Sequence, residues 1–235
     1  MKKLILASAI AASFVGSVAY AEEAAPESTV AYNVGIATDY RYRGISQSQK
    51  EFAVSVGADY TDNVNGFYLG TWISSIKWIK TTQFGGNAPA EWDIYGGKRG
   101  EIAPGVSYDV GTLFYYYPNN NLAVDANTWE VYGQVGYGPA YLKYSYALTN
   151  TFGNANSDGS YYIDAGINQP LAEGVTLNLH AGRQVIAGAG NSGTVLAALF
   201  AFWLYLRQSH ALRLAGETIA SVRPGLGVEI TREPV

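Results

Sequence analysis

Cysteine is absent from the 235 residues, histidine occurs twice, methionine once, and only 14% of the residues are charged. Without cysteine there is neither a disulfide framework nor a thiolate metal centre, and His180 and His210 alone would need carboxylates to complete a zinc site. The sequence therefore points to no metal and no cofactor. Soluble domains carry roughly a quarter charged residues, so a cytosolic α/β enzyme fits this composition poorly. The net charge of −4 excludes a strongly basic nucleic-acid binder, whose affinity comes from neutralising phosphates. What is abundant is glycine, at 27 residues, and tyrosine, at 19. So many aromatics argue against a disordered chain, and the length suits one β-barrel or one ordinary domain.

Met1, Lys2 and Lys3 form a basic head before an uncharged run from Leu4 to Val18, and Ala19-Tyr20-Ala21 supplies small residues where a signal peptidase cuts. This is the pattern of a secretory signal peptide over residues 1–21, cleaved after Ala21, and it is too short for a stable membrane anchor. Residues 22–29, acidic and alanine-rich around Pro26, read as a flexible lead-in.

From residue 30 to 184 the dominant period is two. Val30, Tyr32, Val34 and Ile36 alternate with Asn33, Gly35 and Ala37, and the alternation runs on through Asp39, Tyr40, Arg41, Tyr42 and Arg43 as one strand. The same pattern returns at Val54-Val56-Ala58-Tyr60, at Trp92-Ile94-Gly96, at Val106 to Phe114 and at Trp129 to Tyr137. It predicts about nine strands of roughly ten residues, joined alternately by tight turns and by longer Asn/Gly-rich loops such as 84–89, 118–126 and 151–159. Short turns at one end and long loops at the other are the layout of an outer-membrane barrel. Tyrosine and tryptophan at strand ends suit its interfaces. A soluble β-sandwich or lipocalin-like barrel also alternates, but it would have to cover the apolar face with a core.

The run Asp39-Tyr40-Arg41-Tyr42-Arg43-Gly44-Ile45-Ser46-Gln47-Ser48, with Gly66-Phe67-Tyr68-Leu69-Gly70-Thr71-Trp72, Ile94-Tyr95-Gly96-Gly97, Ser107-Tyr108-Asp109-Val110-Gly111 and Gly136-Tyr137-Gly138-Pro139, resembles the TorF-type family of porins from Gram-negative bacteria. The resemblance covers about residues 30–184. It implies an all-β fold, an antiparallel transmembrane β-barrel of about 10–12 strands, acting as a channel for passive diffusion of small hydrophilic solutes. The alternative is a closed barrel with a structural or surface-interaction role. Outer-membrane lipid is the expected surrounding, and no nucleic-acid partner is implied.

With Val30, Tyr32, Val34 and Ile36 toward lipid, the opposite phase lines the lumen, because a charge on the lipid face costs about 2–4 kcal/mol near the midplane. That phase holds Asp39, Arg41, Arg43, Asp59, Asp93, Asp109, Glu130, Gln134 and Asp164, together with Asn178 and His180. Such charges either set ion preference at a constriction or pair with one another and fill a narrow interior. Arg41 and Arg43 are expected near the constriction. No catalytic set emerges: His180 and Asn178 share a face, but no serine joins them in phase.

Residues 185–235 differ. Eighteen of the 19 tyrosines precede this segment, and its Val195 to Leu206 is an unbroken apolar run that reads as a helix. Arg207, Arg213, Arg223 and Arg232 follow, and the chain ends without a terminal aromatic. The expectation is a divergent segment, produced by a shifted reading frame or a recombined end, which leaves the barrel incomplete.

Overall fold

The computed structural model describes residues 26–81, 85–172, 175–188 and 194–204. The expected signal peptide, most of the lead-in and everything after residue 204 lie outside them. Twelve strands follow in order: β1 (Ser28–Ala37), β2 (Arg41–Tyr42), β3 (Ile45–Ser46), β4 (Ala53–Asp62), β5 (Phe67–Ser75), β6 (Ala90–Ala103), β7 (Val106–Tyr116), β8 (Thr128–Tyr137), β9 (Ala140–Ala147), β10 (Tyr161–Ala172), β11 (Val175–Val185) and β12 (Thr194–Leu204). A single helical turn, α1 (Trp78–Thr81), lies between β5 and β6.

Ten of these strands form one antiparallel sheet in the order β1-β4-β5-β6-β7-β8-β9-β10-β11-β12, and β2 pairs only with β3. Each strand is bonded to its sequence neighbours, so successive connections alternate between the two ends. Turns at 63–66, 104–105 and 138–139 are tight, while residues 38–52, 76–81 with 85–89, 117–127 and 148–160 form long connections at the other end. At Gly66, with φ of +77°, a Cβ would meet the Arg99 carbonyl oxygen at 2.1 Å. Only glycine closes the β4–β5 turn that way.

The helical reading of Val195–Leu206 is corrected here, because Thr194–Leu204 is a strand whose register runs from Thr194 opposite Val185 to Leu204 opposite Val175. An apolar run without charges carries no period to separate helix from strand. The exposed edge of β11 offers backbone partners that settle the matter. β1 and β12 are not paired with each other among the described residues.

The two faces of the sheet differ sharply. The convex face carries exposed aliphatics and aromatics, such as Val34 at 78%, Leu69 at 60% and Leu142 at 50% exposure. The concave face buries Glu130, Asp164 and Lys143 at 2%, 0% and 6%. Near the loop end the convex face repeats one device. The Trp92 indole donates to Thr71 Oγ1 at 2.6 Å, and Thr71 donates to the Asp93 carbonyl at 3.0 Å. Trp129 and Thr112 do the same at 2.6 Å, with Thr112 donating to the Glu130 carbonyl at 2.8 Å. In both, the threonine stands opposite the residue two beyond the tryptophan, Ile94 or Val131. An indole N–H on an apolar face needs such a partner. Thr71→Val and Thr112→Val are each expected to cost about 1–3 kcal/mol in denaturant unfolding. The two losses should add within about 0.5 kcal/mol, since the pairs share no partner.

Candidate functional site

The polar interior is built around a strap, residues 38–52, that leaves β1 and folds into the concave face. Tyr42 and Ile45 flank the tip of its β2–β3 hairpin, where Arg43 and Gly44 have φ of 48° and 79°. Two residues with positive φ match the tight turn that suits a twisted two-stranded ribbon. The single strand predicted through Arg43 is therefore corrected: β1 ends at Ala37, and the chain reverses at Arg43-Gly44.

Three residues of the strap arm, Tyr40, Tyr42 and Arg43, dock on different strands. Tyr40 donates to Glu91 of β6 at 2.5 Å, and its ring meets Trp72 of β5 edge-on at 5.4 Å. Tyr42 is hydrogen-bonded to Tyr115 of β7. Arg43 makes a two-pronged contact with Glu130 of β8, at 2.9 and 2.6 Å, and donates to Gln184 of β11 at 2.6 Å. Its guanidinium also lies over the rings of Tyr42 and Tyr162, at 4.7 and 4.4 Å. A strap attached to β1 thus reaches β11, so the sheet curls round it. Burial works against the charge of Arg43, but the Glu130 carboxylate, together with the Tyr42 and Tyr115 hydroxyls, outweighs it and holds the guanidinium pKa well above its ordinary value.

Above the strap, the loops pack over the same end. Phe152 of the β9–β10 loop sets its ring edge-on to Tyr42, Tyr115 and Tyr117 at 5.8, 5.2 and 6.4 Å. Tyr117 donates to Glu91 at 2.8 Å. Burial first, and then Glu91, push the Tyr117 phenol well above its ordinary pKa, so it remains a neutral donor. Ile76, Ile79, Ala88 and Ala126 are buried beside it.

Below the strap, tyrosines fill the concavity and donate to its carboxylates. Tyr68 bonds Asp109 at 2.6 Å and also Tyr132, Tyr95 bonds Asp59, and Tyr141 bonds Asp164 at 2.7 Å. His180 Nδ1 lies 3.0 Å from Asp164. These rings lie over glycines directly opposite on the neighbouring strand: Tyr68 over Gly97, Tyr95 over Gly70, Tyr132 over Gly111 and Tyr141 over Gly166. A Cβ on any of these glycines would come within 2.4–2.6 Å of an atom of that tyrosine side chain. The two overrepresented residue types are therefore one packing device. Around Arg43 the space that remains is a cavity of about 50 Å³, room for one or two waters.

The positions read as pore-lining divide into three groups. Arg43, Asp93 and Glu130 meet at the cavity, which Arg41 also borders. Asp59, Asp109, Gln134 and Asp164 lie on the same face nearer the turns or the β10 side, with Gln134 opposite Asp109 on β7 and Lys143 on β9. Asp39 and Arg41 pair with each other at 2.8 Å on the strap's partly exposed flank, and Asp39 also accepts from Ser46 and from the Lys50 amide at 3.2 Å. Among the described residues, no three His, Asp or Glu side chains form a group that could hold a metal ion.

A family model described as a bacterial protein of unknown function, Gcw_chp, matches residues 21–194. The chain belongs to that family. No curated protein and no solved structure matches it. In this Gcw_chp chain the sequence reading overlooked Tyr115, Tyr162, Lys143 and Gln184, all of which border the strap or its cavity. The signal was present, because Tyr115 shares its parity with Asp109, and Lys143 stands opposite Gln134 and Asp164. A period-two pattern marks their face but not which tyrosines, lysines or amides on it meet the strap.

Proposed function

We propose that the chain is an outer-membrane β-barrel, delivered by the signal peptide read at residues 1–21, whose lumen is closed by the strap and by its own tyrosines. In this reading its role is structural or surface-interacting. The observation that carries it is the inverted distribution of polarity: exposed Val34, Leu69 and Leu142 outside, against buried Glu130, Asp164 and Lys143 inside. In water that arrangement would leave an apolar face far larger than soluble monomers tolerate, whereas lipid takes the convex face as its solvent. The reading requires the edges of β1 and β12 to be paired in the bilayer, because unpaired backbone groups in hydrocarbon cost several kcal/mol each.

Passive diffusion of small hydrophilic solutes, the function implied by the resemblance to TorF-type porins, is the second reading. It is favoured by one feature: the obstruction at Arg43 belongs to a loop and not to the strands, so movement of the strap would clear that obstruction. Planar-bilayer recording separates the two. Folded, inserted wild-type protein is expected to show no steady unitary current, and steady conductance at neutral pH would favour the porin reading instead.

A further inference from the structure

The strap is held by two separate sets of bonds. One set is internal. Asp39 Oδ2 accepts from Arg41 Nε at 2.8 Å, and its Oδ1 accepts from the Ser46 hydroxyl and, at 3.2 Å, from the Lys50 amide. Among the described residues, every partner of the Asp39 carboxylate lies in the strap. Ser48 Oγ accepts from the Tyr40 amide at 2.9 Å and donates to the Glu51 carbonyl at 2.7 Å, while the Gln47 amide donates to the Tyr40 carbonyl at 2.6 Å. Gln49 and Lys50 have φ of 60° and 61°, a left-handed pair without glycine that persists only where its surroundings over-determine it. Here those surroundings are Asp39, Ser46 and the bond from the Glu51 amide to the Ser48 carbonyl at 3.2 Å, all strap groups. The second set reaches the wall through the side chains of Tyr40, Tyr42 and Arg43, through the Glu51–Lys77 ion pair, and through the Gln47 carbonyl, which accepts from the Lys77 and Trp78 amides at 2.9 and 3.1 Å. Among the described residues the ten-stranded sheet gives β2 and β3 no strand partner.

We propose that the strap is a preassembled lid: keyed by Asp39, it undocks from the lumen wall and returns as one folded body, hinged at Thr38 and Phe52, with Arg43 as its latch. Its fold does not depend on the wall, because the Gln49-Lys50 turn and the β2–β3 hairpin are both closed by groups that travel with it. The latch can let go, because Arg43 and Glu130 regain water together when the lid undocks, and a buried ion pair gains little over its two hydrated ions. Undocking also parts Tyr42 from the Phe152 ring. A lid that stays folded avoids the entropy of ordering residues 39–51 anew at each return. Thr38 and Phe52 are exposed and join the lid to β1 and β4, where a few loop residues can absorb the change of direction. This movement goes beyond both readings above, because a lid can undock whether or not the tyrosines beneath it leave a passage.

The test is amide hydrogen exchange, read residue by residue by NMR on the full mature chain in detergent micelles. The Lys77 and Trp78 amides report docking, because they bond the Gln47 carbonyl, and the Tyr40, Gln47 and Lys50 amides report the lid's own fold. Arg43→Gln should speed exchange at Lys77 and Trp78 by about tenfold or more, the worth of one lost charge-assisted bond, while Tyr40, Gln47 and Lys50 keep their wild-type rates. Adding Asp39→Ala should then speed Tyr40, Gln47 and Lys50 as well. Arg43→Lys, which keeps the charge and loses the two-pronged contact, gives the same comparison should Arg43→Gln not fold. The proposal is overturned if Tyr40, Gln47 and Lys50 lose protection together with Lys77 and Trp78 in the single variant, since the strap then unravels instead of undocking. It is overturned equally if Lys77 and Trp78 do not respond, since Arg43 is then no latch, or if Tyr40 and Gln47 stay protected in the double variant, since Asp39 then keys nothing.

Discussion

Arg43→Gln is expected to lower the unfolding free energy by about 3–5 kcal/mol, because it leaves Glu130 buried without its cation. Both side chains are nearly sealed, at 9% and 3% exposure, and their contact has two prongs. Arg41→Gln should cost under about 1 kcal/mol, since its bond to Asp39 lies at a flank where the arginine side chain is 35% exposed and solvent screens the pair. Arg43→Gln combined with Glu130→Gln should recover much of the loss, as both buried charges are then gone. Denaturant unfolding in detergent micelles checks all three. The same variants bear on function. A strap released by Arg43→Gln should produce steady current if the lumen is a gated passage, and none if the tyrosines below it fill the barrel unaided.

The second large effect separates two glycines that the sequence treats alike. Gly70→Ala and Gly97→Ala should each destabilise by about 1–3 kcal/mol or more through overpacking. At Gly70 the atoms nearest the new Cβ are side-chain atoms, of Tyr95 at 2.4 Å and Asp59 at 2.6 Å. Pairing Gly70→Ala with Tyr95→Leu should therefore bring back part of the loss, giving a coupling energy of about 1 kcal/mol or more. At Gly97 the Cβ meets the Val110 carbonyl at 2.4 Å as well as the Tyr68 hydroxyl at 2.5 Å, and backbone does not yield to a side-chain change. Tyr68→Leu should leave the Gly97→Ala loss in place. Equal rescue at both positions would mean that the tyrosine–glycine pairs do not set the interior packing.

Alternation made the sheet legible, because a strand with one apolar face and one polar face repeats every two residues whatever it packs against. Trp92 and Ile94 face outward while Glu91, Asp93 and Tyr95 are buried, as the period requires. Asp39 to Arg43 kept the same period and still left the strand. The hairpin pairs Tyr42 with Ile45, and local alternation cannot tell a ribbon folded inward from a strand continued outward. Val195 to Leu206 failed for the opposite reason: it has no polar residue to mark a face, and its pairing with β11 is a long-range contact that no local pattern contains. The strap's partners were beyond reach in the same way, since Glu130 and Gln184 stand 87 and 141 residues from Arg43. Polarity predicted that charges would lie inside. Whether they would line water or pair with each other depended on the strap.

The central claim, that the convex face is solvated by lipid, is tested most directly by nitroxide labels on single-cysteine variants of the reconstituted protein. Labels at Val34, Val56, Ile94 and Val131, all exposed and all on the convex face, should collide freely with dissolved oxygen and be shielded from a water-soluble nickel chelate. Labels on the outer loops, at Asp125 and Asp158, should show the reverse. If the chelate reaches Val34, Val56, Ile94 and Val131 as readily as it reaches the loops, the apolar face is not in a bilayer and the membrane account fails.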